Sequence, residues 1–544
     1  MTTHIFRPQL PFRWGAFWGL TLLLVGRLFA ADAQSVTQYG ITWNFDKPYP
    51  VGQFVNGDYW VVGPVAVVSV TPTPGPAPAD EAATNAKSRY GATSLVDDKR
   101  MRNGSMIILE PESNAKSGGF EHQGYDSRSP NYLPEMSVVF PCQLAVDRTL
   151  ISTISSEAYG PDGKLATPSV LSESGNKMDH PTLPLSLDTA AVLTCLKEAP
   201  PADAFRPPYV GKEKPIYETK DLKVDLLPKL QPVASTPKWE AMTRIFQRPW
   251  LDLPYSWLNQ YMLPGQNEPN YGREFARMTS LGALMLLLDG PQEQKQKLLI
   301  EYVQLGIDLH GITNLGRLYF SDGGHWQGRK WPILFASIIL NKPELSTFPP
   351  VNSALPVYAS DMLSPSPDEP TPTTFFQEDL DTYYGKGGDG QTTLWQCVTH
   401  TGPRAPFQEK PSAQYDKTEQ WLNGYGDLNS SSWIGTALAA EMLKGKALWN
   451  HDAFFDYMDY WMGPDNKYQA PKWSPPGCTR SMDLFMEEMW KAYRKDVPDQ
   501  PGGKDNLKWV WDADTKPAAG EGAAGGGSRP SGHRILNPKS DATK

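Results

Sequence analysis

Over residues 34–225 apolar and polar positions alternate in short runs. Ile41-Thr42-Trp43-Asn44-Phe45 has the two-residue period of a half-buried strand. Tyr59–Val62 and Val65–Val70 are further strand-like runs, parted by the turn signal Gly63-Pro64. Met106–Leu109, Ser137–Phe140, Leu150–Ile154 and Ala190–Leu196 extend the set, with Pro- and Ser-rich loops at Pro72–Ala79 and Ser113–Pro134. Several short strands separated by turn-rich loops predict an N-terminal antiparallel β-sandwich-like domain.

Residues 198–236 are rich in proline and carry little periodicity, which predicts a linker lying across the surface. From Lys238 the pattern turns helical. Phe275, Met278, Gly282 and Met285 share one face, as do Leu298, Leu299, Tyr302, Val303, Gly306 and Leu309. Asp289-Gly290-Pro291 joins the two as a glycine stop followed by a proline start. Further helices are expected at 331–341, 430–447, 452–462 and 480–494, with long polar loops at 342–374 and 386–417. Helix after helix without intervening strands predicts an α/α barrel, or toroid, over residues 226–512. The Gly-, Ala- and Ser-rich tail 513–544 is expected to be disordered.

The N-terminus has the pattern of an export signal. Arg7 and Arg13 flank the start of an uncharged apolar stretch, Trp14 to Gly26, and Ala31-Asp32-Ala33 is a small-x-small cleavage site before Gln34. Residues 1–33 are therefore expected to be a signal peptide, the mature chain to be secreted or periplasmic, and no membrane span to remain after cleavage. An oxidising compartment permits Cys142–Cys195 and Cys397–Cys478 bridges, with buried free thiols as the alternative. No CxxC, EF-hand or HExxH pattern appears, so neither a metal nor a cofactor is expected.

A formal net charge of −9 argues against nucleic acid as partner, because binding phosphates needs a dense basic surface. A local basic pocket on an acidic protein remains compatible with an acidic polysaccharide. The chain holds 18 Trp, 23 Tyr and 20 Phe, a density that suits either sugar stacking or a large aromatic core.

Four segments carry candidate chemistry. In Asp322-Gly323-Gly324-His325-Trp326-Gln327-Gly328-Arg329-Lys330 the glycines allow sharp turning, and His325 has the intrinsic range of a general base. Arg329 and Lys330 stand where a helix begins, a place that favours anions, so a substrate carboxylate fits there. In Trp421-Leu422-Asn423-Gly424-Tyr425-Gly426-Asp427-Leu428-Asn429 two glycines suggest an exposed turn that presents Tyr425 as a proton donor. Asn429 reads first as the N-cap of the next helix and otherwise as a donor to a substrate carboxyl. Trp326 and Trp421 supply flat indoles in these two segments.

The third segment is Asn270-Tyr271-Gly272-Arg273-Glu274, where the Arg273 fork fits a carboxylate, either substrate or core acid. The fourth, Glu378-Asp379-Leu380-Asp381, suits a glycosidase pair or an acidic helix start. His122, His180, His310, His400 and His451 show no ligand spacing and read as structural.

With its export signal, helical barrel, β-rich companion domain and Gly-Gly-His325 loop with Arg and Tyr nearby, the chain resembles the secreted α/α-toroid polysaccharide lyases. That group includes alginate lyase-like and heparinase-like enzymes. The likeness spans residues 238–512; in many of those lyases the β-domain follows the toroid, whereas here it comes first. The resemblance implies β-elimination at a uronic acid in a polysaccharide. It gives His325 as base, Tyr425 as acid and Arg273, Arg329 or Asn429 as neutraliser of the sugar carboxylate, with Lys330, Trp326 and Trp421 binding substrate. A glycoside hydrolase using Asp322, Glu378, Asp379 or Asp381 is the alternative, and a non-catalytic carbohydrate-binding surface protein is another. Mass spectrometry of the exported protein is expected to find an N-terminus at Gln34; retention of Met1 contradicts the signal-peptide reading.

Overall fold

The computed structural model describes residues 31–75, 101–110, 122–127, 132–156, 186–253, 262–269, 271–317, 319, 323–348, 376–384, 393–395, 417–464, 466, 470 and 474–502. The expected signal peptide up to residue 30 and the tail beyond residue 512 lie outside them, as do Asp322 and Cys397.

The N-terminal strands form one curled sheet rather than two stacked ones, which corrects the sandwich expectation. Its strands are β1 (Ala31–Gln38), β2 (Ile41–Gln53), β3 (Tyr59–Val62), β4 (Val65–Thr71), β5 (Ser105–Met106), β6 (Cys142–Leu144), β7 (Arg148–Ser155) and β8 (Leu187–Leu196). They run in the order β5-β7-β8-β3-β2-β4-β6, with β1 paired to β2. The β3–β8 pair is parallel, so the sheet is mixed. The long β2 pairs with β4 near Phe45 and with β3 near Val51. Irregularities at Asn44/Phe45 and Ala33/Ser35 bend it, as bulges do. The expected cleavage junction after Ala33 falls at the second irregularity, so processing there leaves the Ser35–Gln38 ladder whole.

Most strands expected from alternation are present. Two differ: of Met106–Leu109 only Met106 is in a strand, and Ser137–Phe140 forms none, with Val139 78% exposed. Pro141 has no N–H for a ladder, and pairing begins only after it, at Cys142. One sheet face, with Ile41, Trp43, Phe45, Val65, Val67 and Leu193, closes a compact core. Cys142, Cys195 and Cys478 are free thiols.

The helical half contains α1 (Trp239–Phe246), α2 (Gly272–Leu287), α3 (Gln292–Asn314), α4 (Lys330–Leu340), α5 (Gln377–Asp381), α6 (Lys417–Met442), α7 (Lys446–Trp449), α8 (Asp452–Met462) and α9 (Leu484–Tyr493). Every residue of α2 is buried, not only the apolar face that its periodicity marks. A helix buried all round sits in the middle of a layer. Here α6, α3 and α9 surround it. Gly282 allows the approach of Phe246, because a Cβ there would lie 2.7 Å from its ring. Among the described residues no helix is long and apolar enough to cross a membrane.

The proline-rich linker does not lie across the surface. It threads between sheet and helices, with Phe205, Arg206, Tyr209 and Val210 at 2% exposure or less. The cause is a buried polar hub. Arg206 Nε donates to Asp58 of the hairpin after β2 at 2.5 Å, and its two other nitrogens donate to Asp308 of α3 at 2.8 and 2.5 Å. Gln304, one turn before Asp308, exchanges two hydrogen bonds with the Arg206 backbone. The sheet, linker and helices are thus tied by one guanidinium.

Glu301 lies on the same helix, and burial beside Asp58 pushes its carboxyl well above the usual value of 4.5. The fold holds this proton more tightly than the unfolded chain does, so its contribution to stability falls as pH rises above about 4.5. Glu301→Gln removes that loss. Thermal unfolding is expected to show the variant gaining on the parent between pH 5 and pH 8, by about 1.4 kcal/mol for each pH unit in which only the unfolded carboxyl is ionised. Parallel pH curves contradict the assignment.

Candidate functional site

The loop Gly323–Arg329 is gripped from several directions. Its backbone enters the fold beside the start of α2, where Arg273 N–H donates to the Gly324 carbonyl at 2.9 Å. Gly272 is required there, since a Cβ would lie 2.0 Å from the His325 carbonyl oxygen. Gly328 holds φ +87° with Ala276 close against it. From α5, Gln377 donates to the Gly323 carbonyl at 2.6 Å and accepts from Trp326 N–H at 2.8 Å, while Glu378 Oε1 accepts from Gly328 N–H at 2.5 Å. From α6, Asn429 donates to the Gly323 carbonyl at 2.8 Å and accepts from the Gln327 amide at 2.7 Å.

Arg329 completes the clamp. Its Nη1 donates to the His325 and Gln327 carbonyls at 3.1 and 2.8 Å. Its other edge pairs with both oxygens of Asp252, at 3.0 and 2.8 Å, and its plane lies 3.5 Å over the Phe275 ring. Such bidentate, stacked geometry is particular to arginine. Between Gly323 and Lys330 only His325 is not buried. Its ring meets Tyr271 edge-on at 5.3 Å and Trp326 at 5.9 Å. Tyr271 in turn lies 5.0 Å beneath the Arg273 guanidinium. The Tyr271 hydroxyl packs on Gly324, where a Cβ would lie 2.7 Å from it. The first and third candidate segments of the sequence are therefore one site.

Several assignments change. Arg329 and Lys330 are not cations offered to an incoming anion. Each is 2% exposed and already neutralised, Arg329 by Asp252 and Lys330 by Asp379 at 2.7 Å. Burial lowers the Lys330 ammonium from its usual value, and the Asp379 charge opposes this. Arg273, 3% exposed, pairs with Glu274, which also binds Arg277. The Trp326 indole is 6% exposed with the Arg317 guanidinium 4.4 Å over its ring, so that face is already covered.

Asn429 caps no helix. It stands in mid-α6, fully buried, as part of the loop's support. The expected turn at Tyr425 is absent, because α6 runs through Gly424 and Gly426 without a break. The side chains of Tyr425 and Trp421 lie outside the described residues.

The acidic segment is more than a helix start. Asp379 binds Lys330 and the Trp449 indole, and Asp381 accepts from Gln377 at 3.0 Å. Burial pushes the Glu378 carboxyl up to about 7, against the pull of the Gly328 N–H. Glu268 sits behind Asp252, and burial with that neighbouring charge raises it well above its usual value. His310 and His451 are buried against Thr347 and Thr382, as structural histidines. Among the described residues no three His, Cys, Asp or Glu side chains converge on one point as metal ligands would.

Asp252 and Tyr271 had not been given roles from sequence. An acid inside the apolar run Trp250-Leu251-Asp252-Leu253 was the available signal for the first. Comparison of the chain with protein-family models, curated proteins and solved structures finds no match.

Asp252→Ala leaves the Arg329 charge buried without its carboxylate. Chemical denaturation is expected to show a loss of about 3–5 kcal/mol, the usual result of breaking a buried pair from one side. A loss under about 1 kcal/mol contradicts the clamp.

Proposed function

We propose that this chain is an exported polysaccharide lyase whose helical half is an α/α toroid and whose active centre is the His325 face of the clamped loop. The observation that carries the reading is that one titratable side chain, His325, is partly exposed on a loop otherwise buried and held by α2, α5 and α6. Fixing a loop this firmly while leaving one imidazole half-buried rather than buried suits a general base that must be positioned before substrate arrives. His325 takes the proton at C5 of a uronic acid unit. Tyr271, in edge contact with it, replaces Tyr425 as the group that protonates the departing O4. The polysaccharide runs over the His325 face, and no cofactor takes part.

A second reading has one specific observation in its favour. Glu378, at about 7, has the poise of a hydrolase proton donor. The two chemistries differ in product. Elimination yields an unsaturated sugar that absorbs in the ultraviolet, whereas hydrolysis yields only reducing ends.

On a panel of acidic and neutral polysaccharides the exported chain is expected to generate ultraviolet-absorbing product, and His325→Ala to slow it by about 100-fold or more. Reducing ends without absorbance, lost instead in Glu378→Gln, overturn the lyase reading in favour of hydrolysis.

A further inference from the structure

Among the described residues, the charges around His325 balance without any substrate. Four cations approach the loop or its supports, and each has a carboxylate partner: Arg329 has Asp252, Lys330 has Asp379, and Arg273 and Arg277 share Glu274, with Asp483 also on Arg277. Beyond these pairs, the described surroundings add one further base, Arg317, and one further carboxyl, Asp381, while burial raises the Glu268 and Glu378 carboxyls toward their neutral forms. Among the described residues the bases and the remaining acids are therefore equal in number. A free carboxylate brought to this place leaves water and meets no surplus of positive charge, which is a costly transfer.

We propose that the sugar unit taken by the His325 site is an esterified, uncharged uronate rather than a free uronate; this rests on the lyase reading above. The chemistry of elimination agrees. Removing the C5 proton beside a free carboxylate builds a second negative charge on the same group, and needs a cation to receive it. Beside an ester it builds only one, on the carbonyl oxygen, which a neutral donor can stabilise. The Trp326 indole beside His325 is such a donor: it is buried, and its N–H has no acceptor among the described residues.

In the step itself, His325 accepts the C5 proton and the C5–H electrons become the C4=C5 double bond. The C4–O4 bond breaks with its electrons on O4, and O4 takes the proton of the Tyr271 hydroxyl. The ester is retained, no redox partner is involved, and His325 passes its proton through water to the Tyr271 phenolate, which restores both groups.

The test uses the whole exported protein with polygalacturonate and polymannuronate, each as the sodium salt and as the methyl ester. The rate of ultraviolet-absorbing product is read at matched sugar concentration. At least one ester is expected to be cleaved about tenfold or more faster, in kcat/KM, than its own salt. A salt cleaved as fast as its ester, or faster, overturns this inference and leaves the lyase reading standing. Absence of unsaturated product from all four substrates overturns both.

Discussion

A guanidinium taken out of water is stable only where carboxylate and carbonyl oxygens replace its hydration, and the Arg329–Asp252 pair is the point on which the candidate site depends. One edge of Arg329 is spent on Asp252. What remains of its donor set points to the carbonyls of His325 and Gln327, so the cost of burying the charge is offset only while the loop keeps its shape. The loop is thus not an appendage. Its conformation is one of the conditions under which the ion pair can be buried at all. Gly272 and Gly328 allow the close approach, and Gln377 and Asn429 hold the remaining carbonyl.

The same logic repeats at a larger scale. Arg206 joins the hairpin after β2 to α3 through Asp58 and Asp308, and the proline-rich segment that carries it is drawn inside as a consequence. In both places a single buried arginine fixes the relation of segments distant in sequence. The polar core beneath His325 is nearly self-sufficient in charge, so what it offers outward is hydrogen bonds and aromatic edges. That property, more than any one residue, narrows the chemistry the site can perform.

The sequence was most legible where local periodicity decides the outcome. The two-residue alternation at Ile41–Phe45 and the helical faces in Phe275–Met285 and Leu298–Leu309 are elements of the fold. It was less legible where a charge goes into the core. Arg206, Arg329 and Lys330 look like surface residues until their partners are known, and those partners lie 49 to 148 positions away. No local pattern carries that information. The two glycines around Tyr425 misled for a related reason: packing over α6 outweighs their weak preference for a turn, and the helix passes through them. His325 and the segment beginning at Asn270 were both visible, but only the fold places Tyr271 against His325.

A buried ion pair holds the His325 loop rigid in the helical half. Amide hydrogen exchange of the loop tests it most directly. The Trp326 and Gly328 amides, donors to Gln377 and Glu378, are expected to exchange as slowly as those in the middle of α4, and Asp252→Asn to speed both by about an order of magnitude or more. Exchange of these amides at the rate of an open loop, or protection unchanged in the variant, would contradict it.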